Sequence, residues 1–586
     1  MTLSRRKWLV GAGAIAGVAG VAGAGIAWRR HQASQPARLS LPKAPAGAPN
    51  VLLIVTDQER GWDLLPAGFI DKHCPARSEL LAQSVSFDHA HTPSPFCSMA
   101  RSAIYTGQHP QRNGLWENIP LPYATNLKRA TPTLGTMFGA AGYHTAYFGK
   151  WHLSRLHDKQ RVSFTPEMVR AELQSYGFAE IGTQHELDGP LGGLQTDGDT
   201  TQRALAFLHS PERAAKPWFA AVNLLNPHDI MYYTSGEAMT KSRKMDFPDA
   251  LARPPADPFY AADLGYGLLP HYGPKTLVQR PEAAYEYGRA MDTTLGVLDY
   301  ADERTGREFQ NYYYHCIRDT DRHLAQVLQA LQASGQDERT IIVFTSDHGE
   351  LLGAHGLRGK GTVPYREAVR VPLLLRLPDG ARGASTQALA SHVDLAPTLL
   401  AAAGLPDDAV ANELPVLAGR DLSPHAAKPS YTDPRAGNGE KGGDGILLHW
   451  TSLAAQDHDS LLAIDLARRS GGVTPLTFLQ KEVRDGMQRR GQMRCVNDGR
   501  WKFARYFKPT DHHRPRDWAT LTARNDLELY DLQADPGETK NLAADPAAAR
   551  DTLLAMNAKL DRLIEREIGV DDGSFLPGPG LLWRGA

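Results

Sequence analysis

Four cysteines in 586 residues are too few to staple a fold. Cys74, Cys97, Cys316 and Cys495 lie far apart, and no two have the close C-x-x-C spacing of a zinc knuckle. Charge of one sign is lacking as well, with 64 Lys+Arg against 65 Asp+Glu and a net charge of −1. Without a basic field there is nothing to hold a polyanion, which excludes nucleic acid as the main partner. Internal repeats and long runs of like charge are missing too, so solenoid arrays and charged tails drop out. What remains is a composition with 42% hydrophobic and 22% charged residues, enough to bury a sizeable core. At roughly 100–200 residues per domain, the length allows one large α/β domain with an appendage.

Residues 1–30 stand apart. Arg5, Arg6 and Lys7 precede an apolar, Gly/Ala-rich stretch at 10–28. That pattern is the twin-arginine type of export signal, which predicts export machinery as a partner and the periplasm as destination. Left uncleaved, about 20 apolar residues could instead serve as an N-terminal membrane anchor. Residues 31–47, rich in Pro and Ala, form a linker.

Alternating apolar runs and amphipathic stretches predict a wound α/β domain over 48–425. Residues 51–56 (VLLIVT) and 340–345 (TIIVFT) are almost wholly apolar and β-branched, as strands buried on both faces must be. Further strands are expected at 143–149, 219–225 and 371–375, with helices at 319–334 and 393–405, the latter ended by Gly404. A polar, Gly-rich loop follows at 429–445. Next come a hairpin over 495–507 turning at Asn497-Asp498-Gly499, a strand at 527–532 and a helix at 550–568. These make residues 426–586 a smaller C-terminal α+β subdomain. The segment 231–303 is long for a plain connection. Its aromatics (Tyr232, Tyr233, Tyr260, Tyr266, Tyr272), with Met231 and Trp116, either line a pocket mouth or pack internally.

Polar residues gather where the predicted strands end. Asp57 and Gln58 follow the first, Lys150 and His152 follow 143–149, His228 follows 219–225, and Asp347 and His348 follow 340–345. Open α/β sheets bind ligands at the carboxyl ends of their strands, so these groups could converge. Two carboxylates, an amide oxygen and one imidazole suit Ca²⁺, Mg²⁺ or Mn²⁺, the histidine drawing the choice toward a transition metal. In Cys97-Ser-Met-Ala-Arg101 a cysteine opens a predicted helix, where unpaired N–H groups favour an anion. Arg101 lies one helical turn on, able to face the same site.

These motifs together resemble the type I sulfatases of the alkaline-phosphatase superfamily. The likeness runs through residues 50–58, 92–110, 142–153 (with GKWHL), 226–228, 346–372, 392–405 and 528–542 (ELYDLQADPGETKNL). It implies a large mixed, mostly parallel sheet flanked by helices, and hydrolysis of a small-molecule or carbohydrate sulfate ester to sulfate and an alcohol. It further implies that a maturation enzyme oxidises Cys97 to formylglycine, with Arg101 fixing that residue. Asp57, Gln58, Asp347 and His348 match the ligands of one divalent metal, Ca²⁺ first, with residue 97 touching the same ion. Lys150, His152, His228 and Lys360 match the basic ring around the sulfate. In that scheme His152 or a ligating carboxylate is the base, and His228 the acid with Lys360 assisting. Two departures stand out. Met99 replaces the proline of the usual Cys-x-Pro-x-Arg, which bears on the conversion of Cys97, and Gln58 stands where many relatives have aspartate. The same scaffold also serves phosphonate monoester and phosphodiester hydrolases. From another class, a non-catalytic metal- and anion-binding relative would keep the pocket without turnover.

Overall fold

A computed structural model describes residues 35–119, 124–156, 163–183, 189–242, 255–435, 443–453, 459 and 488–576. The expected export signal and the start of the linker lie outside the described residues, as do parts of the 231–303 segment and of the polar loop at 429–445. Among the described residues no helix is long and apolar enough to cross a membrane.

Eight strands build the main sheet: β1 (Asn50–Asp57), β2 (Val85–His91), β3 (His144–Gly149), β4 (Glu180–Ile181), β5 (Trp218–Pro227), β6 (Thr340–Ser346), β7 (Leu373–Arg376) and β8 (Ala384–Ser391). Their order is β4-β3-β5-β1-β6-β7-β2-β8, and only β7 runs antiparallel to its neighbours. The apolar runs occupy the centre for the reason their composition suggests. Along β1, Val51, Leu53 and Val55 face a core that includes Tyr105, Phe138 and Leu399. Leu52 and Ile54 face the other, with Phe207, Leu324 and Leu331. A strand covered on both faces has no position for a polar side chain until it ends.

Helices cover the sheet. Those that bear on the site are α1 (Cys97–Thr106), α2 (Gly192–His209), α3 (Glu303–Ala333) and α4 (Leu395–Ala402). The expected helix at 319–334 is the second half of α3, whose first half packs one face through Phe309, Tyr312, Tyr313 and Tyr314. The expected helix at 393–405 is split. The Ser391 N–H donates to Asp394 Oδ2 at 2.8 Å, which holds His392–Asp394 in a tight 3-10 turn before α4 begins. The strand expected at 371–375 starts only at Leu373, because Pro372 cannot donate to the ladder.

Past the main sheet, β9 (Ile446–Trp450), β10 (Gln492–Asn497), β11 (Trp501–Phe507) and β12 (Asp526–Asp531) make an antiparallel sheet in the order β12-β11-β10-β9. One face carries α5 (Arg550–Glu567) through Leu553, Leu560, Leu563 and Ile564. The other, with Leu448, Trp450, Cys495 and Tyr506, is sealed against Met99, Leu351 and Tyr365 of the main body. The second sheet is thus a wall of the same core that carries α1.

Of the uncommitted aromatics, most pack. Tyr260 and Trp116 are buried, Tyr233 stacks on Tyr312 at 4.2 Å between centroids, Tyr266 meets Phe69 and Tyr314, and Tyr272 meets Tyr300. Tyr232, partly buried against the core shared with the second sheet, also lies beside His228 with the ring centroids 5.8 Å apart.

Candidate active site

Parallel register brings the strand ends level. Asp57 stands opposite Pro227, Thr56 opposite Ser346, and Gly149 opposite Asn223. The residues that follow (Gln58, His228, Asp347 and Lys150) therefore emerge along one edge. The exit from β3 demands glycine: at φ +86, a Cβ on Gly149 would fall 2.0 Å from the Asn223 carbonyl oxygen. Lys150 is aimed by that turn. Two side-chain-bearing residues, Gln58 (φ 73) and His152 (φ 58), adopt left-handed backbone in this small region. Such conformations persist only where surroundings enforce them, and here the Gln58 N–H donates to Asp347 Oδ1 at 3.1 Å while its carbonyl accepts from Tyr313 Oη at 2.7 Å.

Cys97 is the first residue of α1, a helix buried along its whole length. Asn118 Oδ1 accepts from the Ser98 N–H (3.0 Å), and Ser98 Oγ accepts from the Ile119 N–H (3.1 Å), so the first turn is pinned. One turn on, the Arg101 guanidinium forks. Nη2 donates to Asp57 Oδ2 (3.1 Å) and Nε to Asp347 Oδ2 (2.9 Å), while Nη1 reaches both Asn223 Oδ1 and the Lys150 carbonyl oxygen at 3.1 Å. Lys150 Nζ also lies 2.9 Å from Asp57 Oδ2. Asp57 is thus gripped through Oδ2 and turns Oδ1 toward the thiol, whereas Asp347 is held through both oxygens.

Inside that turn lie the thiol and the imidazole. Cys97 Sγ is 3.2 Å from His348 Nε2 and 3.8 Å from Asp57 Oδ1. The other ring nitrogen, Nδ1, donates to the Gly349 carbonyl at 2.9 Å. That oxygen can only accept, so Nε2 keeps its lone pair. Burial pushes the His348 pKa down to about 4, which leaves the ring neutral at neutral pH. For Asp57, burial works against the charge, but Lys150, His228, Lys360 and Arg101 outweigh it and hold the carboxyl well below its usual range. Asp347 goes the other way, raised by burial and by Asp57 beside it.

Donor atoms of Asp57, Cys97, Asp347 and His348 all lie within 4.8 Å of one another, and all four residues are buried. Two hard carboxylates with a neutral imidazole nitrogen make a donor set that fits a divalent cation. Gln58 presents its amide oxygen nearby, accepting from Lys360 Nζ at 2.5 Å, and that ammonium is 3.8 Å from Asp57 Oδ1. Arg101, Lys150 and Lys360 meet the two carboxylates at close range, so the centre offers cationic partners to an anionic ligand. His228, in the turn after β5, is buried and acts electrostatically on Asp57. His152 is buried two residues beyond Lys150.

Sequence reasoning missed Asn223, Tyr105 and Glu350. Asn223 was legible as the one amide inside the apolar run of β5, where its Oδ1 serves both Arg101 and Tyr105 Oη (2.8 Å). Met99 has a physical account as well. It is fully buried, its sulfur contacting Thr451 Oγ1 (3.1 Å) and Ser94 Oγ (3.5 Å) in the core shared with the second sheet. Met99→Ala should therefore destabilise the protein by about 2–5 kcal/mol in urea unfolding, the range for emptying a buried methionine site. A loss below about 0.5 kcal/mol, normal for surface positions, would contradict a packing role.

Comparison with known proteins gives this arrangement its class. The family model described as Sulfatase matches residues 49–405, more than half of the chain, and the chain belongs to that family. It is similar to the sulfatase YidJ of Escherichia coli (strain K12), 30% identical over 56% of this chain and 62% of the relative. An ulvan-active sulfatase of Formosa agariphila is 27% identical over 60% of this chain and 61% of that protein. The match thus spans under two thirds of either relative's length. In fold, a solved 2-O GAG sulfatase superposes with a TM-score of 0.62 at 21% identity, over 89% of this chain and 93% of its own.

Proposed function

We propose that the protein hydrolyses a sulfate ester to sulfate and an alcohol, using formylglycine at position 97 and a divalent metal, Ca²⁺ first. The observation that carries this reading is the placement of Cys97: its Sγ opens α1 inside a carboxylate and imidazole cage ringed by Arg101, Lys150 and Lys360. Sulfate esters resist attack because their oxygens already carry negative charge, and cations fixed before the reaction offset that repulsion.

Asp57, Asp347, His348 and Gln58 would hold the metal, which when bound would supply Lewis-acid polarisation of a sulfate oxygen. Residue 97, oxidised and hydrated, supplies the attacking oxygen where the Cys97 sulfur now lies. Lys150 and Lys360 pair with the remaining sulfate oxygens. Arg101 keeps both carboxylates in register through its fork. His152 accepts a proton from the attacking oxygen, and His228 delivers one to the departing alkoxide. Tyr232 beside His228 supports an organic group stacked at the mouth, and the ulvan-active relative supports a carbohydrate ester. The twin arginines at Arg5 and Arg6 support export to the periplasm by that route, with the maturation enzyme acting on Cys97 beforehand.

Mass spectrometry of the peptide carrying Cys97, from protein made in its own host, tests the reading. A loss of about 18 Da against the cysteine form is expected, the change from thiol to aldehyde. Assays on sulfate esters and phosphonate monoesters complete it. An unmodified thiol, or turnover of the phosphonate well above the sulfate, would overturn it.

A further inference from the structure

Glu350 has no part in the roles above, yet it is the hub of the wall behind Gln58. It is buried. Its Oε1 accepts from the backbone N–H groups of Leu352 (2.8 Å) and Gly359 (2.6 Å), and its Oε2 accepts from Gln58 Nε2. On the opposite side of that amide, Gln58 Oε1 accepts from Lys360 Nζ. An ammonium can only donate and an ionised carboxylate can only accept, so the amide fits one way round. The bond to Gly359 also fixes the residue before Lys360, and the Leu351 N–H donates back to the Gly359 carbonyl at 2.9 Å. Arg60 closes the ring, with Nε to the Glu350 carbonyl (2.9 Å) and Nη2 to the Leu351 carbonyl (2.8 Å).

We propose that Glu350 is a positioning residue that makes a neutral amide work as an oxygen donor at position 58. It holds the Gln58 NH₂ and thereby turns the amide oxygen toward Lys360, whose ammonium stands 3.8 Å from Asp57 Oδ1 at the edge of the cage. Gln58 and Glu350 are then a matched pair, in which the negative charge an aspartate would bring to the cage sits one step further out. A carboxylate at 58 would face Glu350 across a short buried contact with like charge, and burial makes such a contact costly. The assignment rests on the cage being a divalent-cation site and is independent of the ester the protein cleaves.

The test is Mn²⁺ binding by calorimetry on the folded, chelator-stripped protein and three variants: Gln58→Asp, Glu350→Gln and the double variant. Glu350→Gln is expected to weaken Mn²⁺ by about 10–100-fold, the usual effect of disturbing a group behind a metal ligand, and Gln58→Asp, which sets two buried acids against each other, by a similar factor. The double variant moves the charge inward without a facing acid and should recover most of that loss. Losses that multiply in the double variant would show that the two positions are uncoupled and overturn the assignment. So would Gln58→Asp binding Mn²⁺ more tightly than wild type, an arm that stands even if Glu350→Gln does not fold. Wild-type protein that takes up no Mn²⁺ overturns the assignment together with the cation site, whereas absence of sulfatase turnover leaves it standing.

Discussion

Arg101→Ala should lower kcat/KM for a sulfate ester by about a thousandfold or more, the scale on which preorganised charge clamps act. It should also unsettle the fold. Arg101 is the shared partner of Asp57 and Asp347, all three with no exposed side-chain surface. Removing it leaves two buried acids facing each other, and stripping one partner from a buried ion pair costs about 3–5 kcal/mol. The cost should be largest in EDTA and shrink when a divalent cation is added, because the cation meets the same carboxylates. Arg101→Lys should rescue little, since an ammonium cannot fork to two carboxylates, the Asn223 amide and the Lys150 carbonyl at once. Thermal melts of both variants with and without Mn²⁺ check this. A melting point for Arg101→Ala in EDTA equal to wild type would refute the structural half of the argument.

His228→Ala should give the second large effect, and its size should depend on the leaving group. An alkoxide leaves badly without a proton, so an alkyl sulfate should lose about 10²–10⁴ in kcat. A nitrophenyl sulfate, whose phenolate departs unaided, should lose less than about tenfold on the same reasoning. His228 is fit for this because its backbone is held from outside the site. The Leu225 and Asn226 N–H groups donate to Asp197 at 2.6 and 2.9 Å, and Asp229 accepts from the Gly193 and Leu194 N–H groups at 3.0 and 3.1 Å. Equal losses for both esters would remove His228 from the acid role.

The parts of this fold that can be read from sequence are those where burial leaves a one-dimensional trace. β1, β5 and β6 are covered on both faces, so their apolar runs and the polar residues that end them announce the centre of the sheet. β8 reads as Ala-Ser-Thr-Gln-Ala-Leu-Ala-Ser, with weak β propensity, and is a strand because β2 pairs with it in parallel. β7 owes its reversed direction to neighbours on both sides, β6 and β2, which no local pattern records. In the site, strand ends and the cysteine motif pointed to the groups that would touch an ion or anion. The groups behind them escaped notice for a physical reason. Asn223 and Glu350 act through the far side of Arg101 and Gln58, across separations of 122 and 292 residues. Met99 read as a departure from a motif, and is explained by the core it fills, with Thr451, just past β9 of the distant second sheet, lying against it.

That last contact has a consequence in time. The core around α1 includes Trp450, Cys495 and Tyr506, contributed by strands from the last quarter of the chain. Met99, two residues past Cys97, can reach its fully buried place in that core only after those strands exist. On a ribosome adding about 5–20 residues per second, the roughly 350 residues between Cys97 and β9 take some 20–70 s to appear. Throughout that interval the first turn of α1, which carries Cys97, lacks one wall of its core. Closure of the second sheet ends that interval, so the oxidation proposed for Cys97 has the order of synthesis as its clock.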